Sequence, residues 1–227
     1  MKVVLKLGGL IFDSELSSGK IEGYAKAIKE LCKTNKLIIV TGGGPVSRKY
    51  ISAARELGAS EAICDQIGIH VSRVNARLLV AALGDSAFPE IPESLGAMRT
   101  CAATGLIVVM GGLQPGQSTN AAAALAAEIT RADLVVNATD VDGVYTADPQ
   151  KDPNAKKLDE VTPDELAAIL SQEGFRGGEY ALVDPLAIRI IKRSGIPVIL
   201  VNGRDAKNVV KAIQGKRIGT RIVPHKK

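Results

Sequence analysis

The sequence is poor in aromatic residues: it has four tyrosines, three phenylalanines and no tryptophan among 227 residues. Proteins that bind single-stranded nucleic acid stack bases on aromatic side chains that lie among Lys and Arg. The formal net charge is +5, but the basic residues are scattered along the chain rather than clustered. We therefore expect no nucleic-acid partner and attribute the surplus charge to small polyanionic ligands or to a solvated surface.

Cysteine is also scarce, and long apolar runs are missing. Cys32, Cys64 and Cys101 are an odd, widely spaced set, which argues against a disulfide framework and a zinc site, so we expect small core residues. Apolar runs such as 106–110 are too short to span a bilayer, and we expect no membrane segment. The chain enters the strand-like KVVLKLGG without a basic leader or a cleavage site, which predicts a cytoplasmic protein.

Five short apolar segments are rich in β-branched residues and continuous rather than alternating, which is typical of buried parallel strands. They lie at 3–7, 37–41, 106–110, 133–138 and 197–201. Helical apolar spacing predicts helices at 20–34, 45–57, 60–83, 119–131, 162–171, 184–194 and 205–213. Thr162, Pro163 and Glu165 form a helix-start signal. The final GKRIGTRIVP predicts a strand pair or hairpin.

Alternating strands and helices predict an α/β fold, a three-layer αβα sandwich around a mainly parallel central sheet. No internal repeat and no linker divides the chain, so we expect a single domain over residues 1–227. Helix 60–83 carries Ile67, Val71, Leu78, Leu79 and Ala82 on one side, which predicts its core-facing side.

Three predicted strands end in glycine, in LKLGGL (5–10), IVTGGGP (39–45) and VVMGGLQPGQSTNA (108–121). In a parallel sheet these ends meet at one edge, where bare main chain and helix amino ends bind anions. Glycine is also common in strand-to-helix turns of any α/β protein, and neither the P-loop nor the Rossmann motif is present. Three such loops at one edge nevertheless favour phosphate binding.

Lys6 lies between Leu5 and Leu7, directly before Gly8 and Gly9. A buried strand normally rejects a charge unless something compensates it. One interpretation is an edge-strand lysine that points into solvent. The other is an ammonium at the end of the strand that offsets charge on a transferring phosphoryl group.

The segment NATDVDGVYTADP (137–149) follows another predicted strand. Asp140, Asp142 and Gly143 suggest part of an EF-hand loop, but Ala138 and Pro149 stand where that loop needs acidic residues. Aspartates at a strand end can instead position a lysine, hold Mg²⁺ through water or bond a ribose. Neither His70 nor His225 lies in a glycine loop, and a phosphate acceptor, with a second pKa of about 6, needs no general base.

Together these segments resemble the archaeal-type uridylate (UMP) kinases of the amino acid kinase superfamily. The resemblance rests on LKLGG (5–9), TGGGPVSRKYI (41–51), DQIGIHVSRVNARLL (65–79), MGGLQPGQST (110–119), TDVDGVYTADPQKDPNAKK (139–157), DPLAIRIIKRSGI (184–196) and GTRIVP (219–224). It implies an ATP:UMP phosphotransferase that makes UDP with Mg²⁺ in pyrimidine nucleotide biosynthesis. It also implies a cytoplasmic homohexamer, a trimer of dimers in which helix 60–83 takes part in the dimer contact. No protein side chain is expected to bind the metal directly.

The resemblance places the acceptor side in about residues 1–130 and the ATP side in about 131–227. The implied catalytic residues are Lys6, Arg48, Asp142 and Asp184, with Asp142 orienting Lys6. The implied ATP-binding residues are Gly9, Leu10, Gly44, Arg48, Thr139, Asp140, Tyr145 and Asp148. The implied UMP-binding residues are Gly43, Asp65, Leu113, Gln114, Pro115, Gly116, Gln117, Ser118 and Thr119, with Asp65 bonding the ribose.

Two positions depart from the family pattern. Leu10 stands where relatives often have a small or hydroxyl residue, and Asp140 where they often have Asn. Alternative functions remain open: a related kinase that phosphorylates isopentenyl phosphate or a carboxylate, or a non-catalytic nucleotide-binding oligomer. Isopentenyl phosphate kinases carry a histidine shortly after the triple glycine, and PVSRKY has none. A carboxylate acceptor would leave Asp65 without a ribose.

Overall fold

The computed structural model describes residues 1–149, 152–171 and 182–224; His225 lies outside the described residues. The strands are β1 (Lys2–Leu7), β2 (Lys36–Thr41), β3 (Val108–Met110), β4 (Leu134–Thr139), β5 (Glu160–Val161), β6 (Val198–Asn202) and β7 (Thr220–Ile222). The helices are α1 (Ser18–Cys32), α2 (Gly44–Glu56), α3 (Glu61–Leu83), α4 (Leu95–Ala102), α5 (Thr119–Thr130), α6 (Pro163–Ser171), α7 (Pro185–Ser194) and α8 (Ala206–Ile213). The five predicted strands and seven predicted helices are confirmed, with ends shifted by at most two residues.

The strands form one sheet in the order β3-β2-β1-β4-β6-β7-β5. The first five strands in this order are parallel. Strand β7 pairs antiparallel with β6 and parallel with β5. The prediction of a hairpin in GKRIGTRIVP is therefore wrong: this segment supplies one strand, whose partners come from elsewhere in the chain.

Two hydrophobic cores lie on opposite faces of the sheet, because successive side chains of a strand alternate between faces. Helices α1, α3 and α8 cover one face, and α4, α5, α6 and α7 cover the other. The predicted three-layer αβα sandwich is confirmed. Helix α5 packs through six buried alanines between Ala121 and Ala127, whose small size allows a close approach to the sheet.

Two helices show what sequence patterns could and could not predict. The predicted start of α6 is confirmed: the Thr162 N–H donates to Glu165 at 2.7 Å, and the Glu165 N–H donates to the Thr162 hydroxyl at 3.2 Å. For α3 the predicted core side is partly wrong. Leu79 is buried as predicted, but Leu78 is 37% exposed, and the buried face runs instead through Cys64, Ile69, Ala76, Leu79 and Leu83.

Other predictions concern cysteines and membrane segments. Cys64 and Cys101 are buried and Cys32 is half-buried, all three as free thiols. Within the described ranges, no helix has the length and apolar character needed to cross a bilayer.

The sheet topology determines where a ligand can bind. The chain leaves β1 towards β2 and β3 on one side, whereas β4 lies on the other side of β1. In open α/β sheets, the crevice at such a change of direction, beyond the carboxyl ends of the strands, is the usual ligand site. The segments that follow β1, β2 and β4 all emerge at this edge.

Candidate active site

A cavity of about 1060 Å³ opens at the carboxyl ends of β1 and β4. Six of the predicted site residues line it: Lys6, Gly9, Leu10, Arg48, Thr139 and Asp140. Lys20, Arg204 and Lys207 add further positive charge to its wall. Ligand pockets typically enclose about 300–1,000 Å³. The cavity is therefore large enough for a nucleotide and is lined by cations suited to phosphate.

Lys6 reaches this cavity from strand β1. Its side chain is half-buried, and its Nζ would lie 3.5 Å from a Cβ added at Gly8. Burial lowers the pKa of Lys6 to about 8, and the carboxylates of Asp140 and Asp184 partly oppose that shift. No described residue forms a hydrogen bond or an ion pair with the ammonium group, which leaves its three donors free.

The first two glycine loops touch each other. A Cβ added at Gly9 would lie 2.0 Å from the Gly44 Cα. Gly44 has φ +67°, and a Cβ there would lie 2.7 Å from the Phe12 carbonyl oxygen. Glycine is thus required at both positions by the close approach of main chain to main chain. Part of the glycine pattern that predicted phosphate binding has this structural cause.

The triple-glycine loop (residues 42–44) leads directly into α2, whose amino end has no side-chain cap. The first N–H groups of a helix need partners outside the helix, and together with the helix dipole they attract anions. Asn75 holds the loop from behind: its Nδ2 donates to the carbonyl oxygens of Gly42 at 2.8 Å and Gly43 at 3.2 Å. The loop therefore presents main-chain donors near Lys6 and Gly9.

The third glycine segment, here called the PGQST loop (residues 111–119), is held by side chains of α3. The Ser72 hydroxyl accepts from the Gly112 N–H at 2.8 Å. Arg73 donates to the carbonyls of Gly112 and Leu113 at 3.2 and 3.3 Å. Asp65 accepts from the Gly116 N–H at 2.8 Å. The structure thus brings Asp65 together with the loop predicted to bind UMP.

Sequence reasoning missed three of the residues that shape these loops, namely Ser72, Arg73 and Asn75. Ser72 and Asn75 are 0% and 3% exposed, on the buried face of α3. A polar side chain within a helix's apolar stripe needs a buried partner, and that signal was available in the sequence.

Asp184 lies where two helices begin. It caps α7 by accepting from the N–H groups of Leu186 at 3.1 Å and Ala187 at 3.0 Å. The Ser118 hydroxyl donates to its other oxygen. Ser118 in turn caps α5 by accepting from the Ala121 N–H at 3.0 Å. Asp184 therefore joins the PGQST loop to α7 and also acts electrostatically on Lys6.

The acidic segment after β4 divides into two parts. Thr139 and Asp140 line the cavity, and the Thr139 hydroxyl donates to Asp140 at 3.1 Å. Asp142, implied by the resemblance to orient Lys6, instead accepts from Asn202 Nδ2 at 2.8 Å. The carboxylates that act on Lys6 are those of Asp140 and Asp184.

Three predicted ATP-binding residues, Gly44, Tyr145 and Asp148, are not among the residues that line the cavity. Half-buried Tyr145 packs against the core on the α5 face and pairs with Lys157 in a β-bridge. Asp148 is 8% exposed. Both follow Gly143, whose backbone is held close to Thr220 of β7.

Comparisons with known proteins agree with this arrangement. The model of the amino acid kinase family matches residues 1–202. The chain is 47% identical over 224 residues to a uridylate kinase of Methanothermobacter thermautotrophicus, covering 99% of this chain and 100% of the relative. It is 45% identical over 233 residues to a uridylate kinase of Methanococcoides burtonii, covering 98% of this chain and 100% of the relative.

Solved structures show the same likeness. The crystal structure of a uridylate kinase from Archaeoglobus fulgidus superposes with a TM-score of 0.90 at 43% identity, covering 98% of this chain and 100% of that one. A UMP kinase structure from Bacillus anthracis superposes with a TM-score of 0.82 over 99% of this chain and 96% of that one. Its identity is 22%, so this second likeness concerns the fold alone.

Proposed function

Since this chain belongs to the amino acid kinase family, we infer that it transfers the γ-phosphoryl group of ATP to UMP, giving ADP and UDP. The observation that carries this inference is the free ammonium of Lys6, which lies between glycine loops at the mouth of a nucleotide-sized cavity. Full-length identity to uridylate kinases supports UMP as the acceptor.

The reaction needs little covalent chemistry from the protein. A phosphate oxygen of UMP attacks the γ-phosphorus, a new P–O bond forms, and the electron pair of the broken bond leaves on ADP. The UMP phosphate is mostly dianionic at neutral pH, since its second pKa is about 6, so no base must remove a proton. Positioning two polyanions in line and offsetting their repulsion is the main task. Lys6, Arg48 and the N–H groups of α2 suit it.

We also propose which residues form the donor side and the acceptor side. We assign ATP to the cavity wall formed by Gly9, Leu10, Arg48, Thr139 and Asp140, together with Gly44, which lies against Gly9. We keep Tyr145 and Asp148 as proposed adenine-side contacts. We assign UMP to Gly43, Asp65 and residues 113–119. In this proposal one domain spans residues 1–227, with the acceptor side in about 1–130 and the ATP side in about 131–227.

Lys6 is oriented, in this proposal, by Asp140 and Asp184, whose charges raise its pKa. Asp184 is itself fixed by its hydrogen bonds to α7. The orienting role that the resemblance gave to Asp142 therefore passes to these two carboxylates. Asp142 would act one step further out, by fixing Asn202 at the end of β6.

Magnesium fits this site as a companion of ATP. Mg²⁺ keeps several waters and binds through one or two carboxylates plus substrate phosphates. Asp140 and Asp184, whose charges both act on Lys6, supply such carboxylates and would hold the ion through water. When bound, the ion neutralises charge on the β- and γ-phosphates.

We also propose a cytoplasmic homohexamer that acts in pyrimidine nucleotide biosynthesis. Apolar side chains on α2 and α3 are exposed: Tyr50 by 60%, Ile63 by 48%, Val74 by 59% and Leu78 by 37%. Exposed apolar groups that share one face mark interaction surfaces. They support a contact between subunits through α2 and α3.

A substrate panel tests the function. Purified protein is assayed with ATP and Mg²⁺ against UMP, CMP, isopentenyl phosphate and N-acetylglutamate, with Lys6→Ala as the matched inactive control. We expect UMP to give the highest kcat/KM and Lys6→Ala to give almost no product. Preference for isopentenyl phosphate or N-acetylglutamate would overturn the acceptor assignment. No turnover with any acceptor, despite nucleotide binding, would indicate a non-catalytic binding protein.

A further inference from the structure

Two polar groups on neighbouring strands, one half-buried and one buried, lack hydrogen-bond partners among the described residues. Lys6 has no hydrogen bond or ion pair with the described part of the chain. Asn137 is 4% exposed, and its Oδ1 is a buried acceptor without a hydrogen bond. Leaving such an acceptor unpaired is energetically costly. The Lys6 ammonium, a donor without an acceptor, thus lies near Asn137 Oδ1, an acceptor without a donor.

The sheet register places the two residues side by side. Lys6 of β1 pairs with Asn137 of the parallel strand β4. Register partners on neighbouring strands lie about 4.8 Å apart and point to the same face of the sheet. On the other side of Asn137, the register partner is Leu200 of β6, which has no side-chain donor. Lys6 is therefore the side-chain donor at the two positions that flank Asn137.

The orientation of the Asn137 amide is fixed by a chain of hydrogen bonds. Asn137 Nδ2 donates to Asn120 Oδ1 at 3.2 Å, and Asn120 Nδ2 donates to the Leu182 carbonyl at 3.3 Å. The Leu182 carbonyl can only accept, so Asn120 must turn its amide nitrogen to it and its oxygen to Asn137. Asn137 must then turn its nitrogen to Asn120. An amide flip would break this chain, so Oδ1 is the atom that remains open.

We propose that Asn137 is a positioning residue for Lys6, with its Oδ1 accepting one N–H of the ammonium while the other two N–H groups face the phosphates. The chain through Asn120 then ties Lys6 to Leu182, two residues before Asp184. The position of the Lys6 ammonium would thus be determined both by carboxylates and by a neutral amide. Asn137 touches neither the phosphates nor the reacting atoms.

Direct titration of Lys6 in the full-length protein without substrate tests this. The probe is the ¹³Cε signal of Lys6, identified by its loss in Lys6→Ala. The variants are Asn137→Leu, which removes both amide groups at similar volume, and Asn137→Asp, which keeps an acceptor and adds charge. Val135→Ala is the matched control, because Val135 is 5% exposed on the same face of β4 and carries no polar group.

The expected shifts have opposite signs. An acceptor stabilises the charged lysine, so Asn137→Leu should lower the pKa of Lys6 by roughly half a unit to one unit, and Asn137→Asp should raise it by about one to two units. Val135→Ala should leave it unchanged. Lys6 also faces Asp140 and Asp184, while Arg48, Arg204, Asp205, Lys207 and the Asp13–Lys20 ion pair line the cavity. All the variants keep these groups.

A second measurement needs no variant at Asn137. In the wild-type protein, the ¹³Cγ signal of Asn137 should titrate with the pKa of Lys6, and Lys6→Met should abolish this titration. Unchanged Lys6 titration in Asn137→Leu, or an Asn137 signal that ignores Lys6, would overturn the proposal even if one variant fails to fold.

The kinetic readout follows from the same contact. The proposal rests on the proposed function only in its use of Lys6 for phosphoryl transfer. For Asn137→Leu we expect kcat at pH 7 to fall about tenfold with little change in KM, as expected for a mispositioned catalytic group. If the titration shifts appear but no acceptor is phosphorylated, the proposed function fails while the positioning contact stands.

Discussion

The triple-glycine loop and the PGQST loop lie at the same edge of the sheet, but they are built differently. At the first, Asn75 holds two carbonyl oxygens, and α2 begins without a side-chain cap, which leaves its first N–H groups open. At the second, Ser72, Arg73 and Asp65 hold the loop, and Ser118 caps the helix that follows. Open N–H groups can donate to any phosphate, whereas a loop fixed by several side chains can distinguish one ligand shape from another. The first suits the common triphosphate and the second suits acceptor selection.

The largest effect is expected at Lys6, which lies near the triple-glycine loop. Lys6→Ala removes the free ammonium that offsets phosphoryl charge, and we expect kcat to fall by about 10³-fold, since removal of even one oxyanion donor costs ~10²–10³. Steady-state kinetics with ATP and UMP measure it. Circular dichroism and thermal unfolding serve as the control, because the fold should persist. Near-normal turnover would remove Lys6 from the mechanism.

Gly44→Ala tests whether the bare loop depends on close main-chain approach. A Cβ at Gly44 would lie 2.7 Å from the Phe12 carbonyl, whereas one at Gly42 meets its nearest atom, the Gly9 nitrogen, at 3.4 Å. With φ at +67° as well, Gly44→Ala should destabilise the fold by roughly 1–3 kcal/mol. Displacement of the loop should lower kcat/KM by about 100-fold. Denaturant unfolding with Gly42→Ala as control checks this; equal losses in both variants would contradict it.

Asp184→Asn distinguishes two roles of Asp184, which is hydrogen-bonded to Ser118 of the PGQST loop. One role is capping α7, and the other is its negative charge. Asn caps helices nearly as well as Asp, so α7 should persist while a negative charge near Lys6 disappears. Protonated Lys6 is the active form, so activity is present below its pKa of about 8 and is lost as pH rises through it. The variant should move this alkaline limb to lower pH by about one unit. A kcat profile from pH 6 to 10 measures the shift, and an unmoved limb would exclude Asp184 as a charge partner.

The smallest effect is expected at Asp65. Asp65→Asn keeps an acceptor for the Gly116 N–H, so the PGQST loop should keep its shape while the ribose contact weakens. We expect KM for UMP to rise by about tenfold, with kcat and KM for ATP nearly unchanged, as for lost uniform binding. Initial rates at varied UMP and varied ATP distinguish the two constants. If the KM for ATP rose instead, Asp65 would belong to the ATP side rather than to the UMP side.

The sequence predicted most of the sheet because parallel strands are continuous apolar runs with clear ends. It did not predict β5, since two residues such as Glu160–Val161 have no periodicity to read. Helix α4 was missed as well, and Leu78 was placed on the wrong side of α3, because each apolar residue of a helix fits more than one face until its neighbours are known.

Some site residues could be predicted from the sequence and others could not. Lys6 stood out because a charge inside an apolar strand needs a cause. The glycines stood out too. The sequence could not distinguish Gly44, where close packing requires glycine, from glycines that only leave the main chain accessible to a ligand. The roles of Asp140 and Asn75 depend on partners far away in sequence, and only the folded chain shows them.

The alanine face of α5 has a consequence for variation in this protein. Six of the seven residues from Ala121 to Ala127 are buried alanines, and a close-packed interior accommodates added side-chain volume poorly. The amino end of α5 carries both Ser118 and Asn120, and their positions therefore depend on how this helix packs. Two added methyl groups on this face, as in Ala124→Val, would be felt at the catalytic edge although they touch no ligand.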